Sequence, residues 1–437
     1  MNNHRLLAGL LCVLLPGTGA VCHAQRVFTL DEIFTVAETG SAQLRTSYAS
    51  EKEAQREINV SRAGRLPDIT AALSVGYNGD GFTTKRDFSD YQKAPIPHFG
   101  NAMSVTVTQP VYTGGAISGS IKIAELKSTA SRFATDMKRD NLRFHLAGLY
   151  LDIYKYSNLR RVVESNLAAA RRVLGEMHAR YEQGTALLND ITRYELLVSN
   201  LELEIIRIDN SISIFNENLV TISGLPSGTV VSPDTTLLDL TMEVPGLEQW
   251  QQEAAEASPR LKLARTGIDI SRKAEDLVRA ERRPNIGLEA GWSFNGPILT
   301  DVPPINRNLS YWYVGLGVKY NLLSLYKSNK SLARSRAATF VARNELDEIG
   351  QDVAMSVNEA HIRWQESQTE LATRDKGVEL AMRNYNTVSM RYSAGMALIT
   401  DLLDAANARI DAEQQLVNAR INIIYNYYRL LFTTGKI

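Results

Sequence analysis

RYEQGTALLNDI, residues 180–191, returns as RYSAGMALITDL at residues 391–402. Six of the twelve positions are identical (Arg, Tyr, Gly, Ala, Leu and Asp) at an offset of 211. Gly224 and Gly435 share that offset. Upstream, Arg65-Leu66-Pro67-Asp68-Ile69 answers to Arg282-Arg283-Pro284-Asn285-Ile286 at an offset of 217, and Ser41 and Leu44 answer to Ser258 and Leu261. The difference of six residues falls between the two sets of anchors, in loops whose length is free to vary. Anchors in the same order mark a duplication. Pro226, Gly228, Pro233, Pro245 and Gly246 punctuate the linker between its halves. The expected division is a leader at 1–24, a first repeat at 25–226, a linker at 227–246 and a second repeat at 247–437.

Each repeat carries a long apolar stripe. Leu142, Leu146, Leu149, Ile153, Tyr156, Leu159, Val163, Leu167, Ala170, Leu174, Met177 and Tyr181 follow one another at a mean step of 3.55 residues. That is near the 3.5 of a left-handed coiled coil. No proline lies in 111–225 or after Pro304. The pattern predicts helices at 116–183 and 189–223, and again at 327–393 and 399–432. At 1.5 Å per residue the longest would run for about 100 Å, a rod rather than a globule. Helical stretches near 30–64 and 247–283 precede the proline anchors.

Between these stretches lie four segments of period 2. Ile69-Ala71-Leu73-Val75-Tyr77 and Met103-Val105-Val107 form apolar faces in the first repeat. Ile286-Leu288-Ala290-Trp292-Phe294 and Trp312-Val314-Leu316-Val318-Tyr320 do so in the second. The intervening positions are small or polar, and aromatics gather at strand ends. Runs of about ten such residues have the length of a tilted membrane-spanning strand. A soluble, half-buried sheet has the same alternation. Four strands cannot close a membrane barrel, and an open edge in lipid leaves backbone groups unpaired, so the membrane reading demands several copies. The loops at 79–101 and 296–309 then share the side opposite the helices.

The 48 basic and 48 acidic residues of the chain give no net charge, which removes the electrostatic argument for nucleic acid. His4 and Arg5, the apolar run Leu6–Leu15, and Cys22-His23-Ala24 read as a secretory leader cut after Ala24. Lipidation of Cys22 is the rival, opposed by Val21 where a small residue is expected. Cleavage removes both Cys12 and Cys22, and with them any disulfide or thiolate metal site. The remaining histidines, His98, His145, His178 and His361, show no metal-ligand spacing, and no phosphate loop is present. Neither catalysis nor a cofactor is expected.

The duplicated helix–strand–strand–helix–helix plan resembles the TolC-type outer membrane efflux protein family. So do the tip motifs RYEQG and RYSAG, each followed by Asp, and the Arg-x-Pro entry to the strands. The resemblance covers essentially the whole mature chain. It implies an α+β membrane protein with internal duplication: a coiled-coil α-helical barrel joined to a transmembrane β-barrel made of four strands from each chain of a homotrimer. It further implies an exit duct in the outer membrane, working with a periplasmic adaptor and an inner-membrane transporter. The competing expectation is a periplasmic coiled-coil scaffold without a pore.

Asp401 and Asp404 are three apart on a helix and share a face. Turned inward in a trimer they form stacked carboxylate rings, which attract cations and repel anions. By resemblance, Asp190, Tyr392, Asp401 and Asp404 match the positions that narrow the periplasmic mouth. The basic partner expected two residues after the second glycine is Ala397 here. A plainer role exists for Asp190 and Asp401, since a carboxylate in a helix's first turn gains ~0.3–1 kcal/mol from the helix dipole. Gly184 and Gly395 are expected to end the long helices at positive φ. Around them Thr185, Ala186, Leu187, Met396, Ala397 and Leu398 form an exposed apolar tip, the expected adaptor contact.

Overall fold

A computed structural model describes residues 26–234, 245–301 and 303–437. The expected leader and its cleavage site, Cys22, and part of the linker lie outside the described residues. The first half runs β1 (Arg26–Phe28), α1 (Leu30–Gly40), α2 (Ala42–Ala63), β2 (Asp68–Tyr77), β3 (Gly81–Thr83), β4 (Gln92–Ala94), β5 (Phe99–Tyr112), α3 (Ala116–Glu182), α4 (Leu188–Ser223) and β6 (Val231–Pro233). The second runs α5 (Leu247–Ala257), α6 (Pro259–Ala280), β7 (Asn285–Gly296), β8 (Leu309–Lys319), α7 (Ser324–Ser393) and α8 (Ile399–Thr434).

The stretches near 30–64 and 247–283 are each two helices, broken at Ser41 and at Ser258. Both serines leave the helical conformation at the break, with ψ of 125° and 118°, and both are buried. Pro259 has no N–H to donate and takes the first position of α6, so the chain restarts there. The C-terminal ends of α4 and α8 seat on these two breaks. Gly224, at φ +78°, lies against the Gly40 backbone, and Gly435, at φ +72°, lies against Ser258 and Pro259. No larger residue fits between two backbones so close. The repeat anchors of the sequence are therefore joints of the fold.

Strands β2, β5, β7 and β8 form one antiparallel sheet in that order. Its register assembles the four apolar faces into one. Ile69, Val107, Ala290 and Val314 form one rung, and Ala71, Val105, Trp292 and Trp312 the next. The other face carries Thr70, Thr106, Gly291 and Tyr313, then Asp68, Thr108, Glu289 and Gly315. Strands β2 and β8 each have one neighbour in the sheet, so both edges are open. The small hairpin β3–β4 lies within the expected loop at 79–101 and carries a Phe82–Tyr91 ring stack.

Each long strand is joined in sequence to one helix, so the helices repeat the order of the sheet. Helix α2 packs on α3, α3 on α6, and α6 on α7. The hairpins α3–α4 and α7–α8 extend away from the sheet and meet each other where α3 packs on α8. A core of Phe28, Leu30, Ile33, Leu146, Tyr150 and Leu219, among others, holds the middle of the rod. There the parallel pair β1–β6 is tied down by Tyr150, whose hydroxyl donates to the Phe28 carbonyl at 2.7 Å. Burial pushes that phenol up to about 12. A second core, built from α3, α4, α7 and α8, lies towards the far end.

Candidate functional site

The far end of the rod consists of two turns built alike. Gly184 and Gly395 have φ of +72° and +74°. Gly184 N–H donates to the Tyr181 carbonyl and Thr185 N–H to the Arg180 carbonyl, both at 2.9 Å. In the second turn Gly395 N–H donates to Tyr392 at 3.0 Å and Met396 N–H to Arg391 at 2.7 Å. This paired reverse bonding satisfies the last carbonyls of a helix and requires a left-handed residue, which glycine supplies without strain.

The acidic residues separate into different surroundings. Asp401 is exposed, and its Oδ2 accepts the Leu398 N–H at 3.0 Å, closing the start of α8. Asp404 lies one turn further along, also exposed. Asp190 is half-buried across from Tyr392 of the other repeat. Burial first, and then the Asp190 carboxylate, hold the Tyr392 phenol above its ordinary pKa, against the pull of Arg180. The structure thus brings Asp190 and Tyr392 together and leaves Asp401 and Asp404 on open surface.

Arg180 is a site residue that the sequence reading passed over. Its guanidinium carbon lies 6.0 Å from the Tyr392 ring centre, and its Nη2 donates to the Ser393 carbonyl at 3.0 Å. The signal was its identity with Arg391 in the duplicated motif. Deeper in the bundle a second cross-repeat contact was hidden by sequence distance. The Asn166 side-chain amide donates to Glu413 at 2.6 Å, and the Arg409 guanidinium donates to the Asn166 side-chain oxygen. Arg409 also sits 4.1 Å over the Tyr385 ring. These polar contacts fix α3 against α7 and α8 below the tip.

At the tip itself Leu187, Met396 and Leu398 are 68–70% exposed, and Gly184, Thr185 and Gly395 are exposed too. Ala186 and Ala397 depart from the expected exposure. Both are half-buried. Among the described residues no group of three or more His, Cys, Asp or Glu side chains is placed to hold a metal ion. No described helix is long and apolar enough to cross a membrane. On one face of the four-stranded sheet Ile69, Leu73, Trp312, Val314 and Leu316 stand exposed.

The family model described as "Outer membrane efflux protein" matches residues 35–225 and, separately, residues 250–436. The chain belongs to the outer membrane efflux protein family. This efflux protein is 22% identical over 422 residues to the outer membrane protein TolC of Vibrio cholerae, covering 96% of this chain and 93% of that one. It is 22% identical over 451 residues to the proteases secretion protein PrtF of Dickeya chrysanthemi, covering 99% and 93%. Its fold matches the crystal structure of the outer membrane protein VceC of Vibrio cholerae with a TM-score of 0.75 at 15% identity, covering 93% and 96% of the two chains. The efflux protein is thus an outer membrane protein whose long helices lie in the periplasm.

Proposed function

We propose that the chain is one third of a passive exit duct, through which small molecules or proteins leave the periplasm across the outer membrane. The observation that carries this reading is the four-stranded sheet with both edges open and one face of exposed large apolar side chains. In water such a face is a liability, and in lipid the unpaired edges cost several kcal/mol per group. Pairing β8 of one copy with β2 of the next removes both costs. Three copies give twelve strands, with the Trp312 face towards lipid and the Thr, Ser and Gly face lining a polar lumen. The helices, continuous with the strands, close into a tunnel with the same symmetry.

Asp190, Tyr392, Asp401 and Asp404 form the periplasmic gate in this reading, and the carboxylates make its mouth selective for cations. The apolar tip around Gly184, Thr185, Ala186, Leu187, Gly395, Met396, Ala397 and Leu398 receives a periplasmic adaptor, which joins the duct to an inner-membrane transporter. That transporter supplies the energy. The family's description as efflux proteins and the relative named for protease secretion support a duct serving either cargo. The scaffold alternative leaves the apolar sheet face without a purpose. Purified protein reconstituted in planar bilayers is expected to give cation-selective channels from particles of trimer mass. Protein that stays monomeric and gives no conductance refutes the duct.

A further inference from the structure

The tip motif is written twice, but within one chain its side chains are used once. Arg180 donates to the Ser393 carbonyl and lies 6.0 Å from the Tyr392 ring centre, and the Asp190 carboxylate acts on the Tyr392 phenol from the same hairpin as Arg180. Ser393 is the last residue of α7. Its carbonyl is one of those a helix leaves unpaired at the negative end of its dipole. The first repeat thus closes the open end of a helix in the second.

At the offset of 211, Arg180, Tyr181, Glu182 and Asp190 correspond to Arg391, Tyr392, Ser393 and Asp401. Every part needed to make the clasp a second time is present: Arg391 and Asp401 to grip, Tyr181 and the Glu182 carbonyl to be gripped. Yet this second set is open. Arg391 and Asp401 are exposed and Tyr181 is 45% exposed, whereas Arg180, Asp190 and Tyr392 are half-buried. Among the described residues the Arg391 side chain makes no hydrogen bond or ion pair.

We infer that Arg391 and Asp401 grip Tyr181 and the Glu182 carbonyl of a neighbouring copy, repeating across the subunit boundary the clasp that Arg180 and Asp190 make inside the chain. This inference rests on the trimeric reading above and specifies how its mouth is held shut. Around three copies the tips alternate first repeat, second repeat, six in all. Three clasps within chains then alternate with three between chains, and each tip both grips and is gripped. That double duty gives one reason for Arg, Tyr and Asp to be the identical polar positions of the two motifs. The bond from Leu398 to Asp401 is no obstacle, because it occupies Oδ2 and a carboxylate offers about four acceptor sites.

The test uses the full chain, whose two cysteines, Cys12 and Cys22, both precede residue 25. Tyr181→Cys with Asp401→Cys, joined by a short bismaleimide, is expected to give dimer and trimer bands on a denaturing gel. Asp190→Cys with Tyr392→Cys is expected to give monomer bands only. In bilayers Arg391→Ala and Arg180→Ala are each expected to raise closed-state conductance several-fold, and Arg391→Lys to raise it less. Protein that runs as a trimer in solution but shows no bands between copies, or an unchanged conductance in Arg391→Ala, overturns the interchain clasp alone. Protein that runs as a monomer overturns it together with the trimeric reading.

Discussion

Arg180, near the end of α3, hydrogen-bonds the carbonyl of Ser393, the last residue of α7, at 3.0 Å. The two residues are 213 positions apart. Their contact is the outermost hydrogen bond described between the two repeats, lying just behind the Gly184 and Gly395 turns. It ties the two hairpins together at their tips, and so fixes Asp190 of one hairpin relative to Asp401 and Asp404 of the other.

The exposed carboxylates at this mouth are expected to bind multivalent cations from the periplasmic side. Asp401→Ala with Asp404→Ala should raise the half-blocking concentration of a trivalent cation by about tenfold or more. Block is read as a fraction of each protein's own unblocked conductance, because loss of Asp401 also loosens the clasp between copies. Single-channel recordings decide the matter: block at the same concentration in the double variant removes these residues from the gate.

Asp140 of α3 faces a cavity of about 530 Å³ shared with Glu38, Arg139, Arg143 and Lys262. Burial raises its pKa from the ordinary 3.8 to about 6, against the pull of Arg143. The folded protein therefore holds this proton more tightly than the unfolded chain does. The associated stability is complete below the ordinary pKa and is lost as pH rises through about 6. Asp140→Asn is expected to flatten that fall and to stabilise the protein at neutral pH by about 1–2 kcal/mol, reduced for partial solvent access. Melting temperatures recorded from pH 4 to pH 8 for both proteins test it. Parallel curves would refute it.

Two glycines at similar left-handed φ should differ in how much they matter. Gly224→Ala forces a Cβ into the Gly40 backbone and strains a left-handed residue, a loss of about 1–3 kcal/mol before any backbone shift. Gly184→Ala carries only the conformational cost of about 1 kcal/mol, because its Cβ meets open space. The first variant should melt several degrees below the second. Equal melting temperatures would show that the joint between α4 and the α1–α2 break is slack.

The sheet faces make opposite demands. Leu316→Arg places a charge on the apolar face, a cost of about 2–4 kcal/mol near the bilayer midplane. Gly315→Ser, its neighbour on the other face, adds a small polar group where a Cβ touches nothing within 4 Å. Trimer yield in isolated outer membranes is expected to collapse for Leu316→Arg and to persist for Gly315→Ser. The reverse order would exchange lipid and lumen.

Periodicity alone determined much of this protein. The 3.55-residue beat placed α3, α4, α7 and α8 to within a few residues, because a coiled-coil seam needs an apolar side chain at nearly every turn. Alternation located four strands, because a pleated strand sends successive side chains to opposite faces. Short elements escaped. The pairs β1–β6 and β3–β4 are three residues long, too few for any period to declare itself. Only the tertiary structure decided what the repeat anchors do. Ser41 and Ser258 break helices, and Gly224 and Gly435 fill those breaks, since the distance between two backbones is not written in either segment. Only it, likewise, placed Arg180 on Tyr392 and Ser393 while leaving Arg391 exposed. Identical motifs carry identical local chemistry, but which copy finds a partner inside the chain depends on how the two hairpins pack.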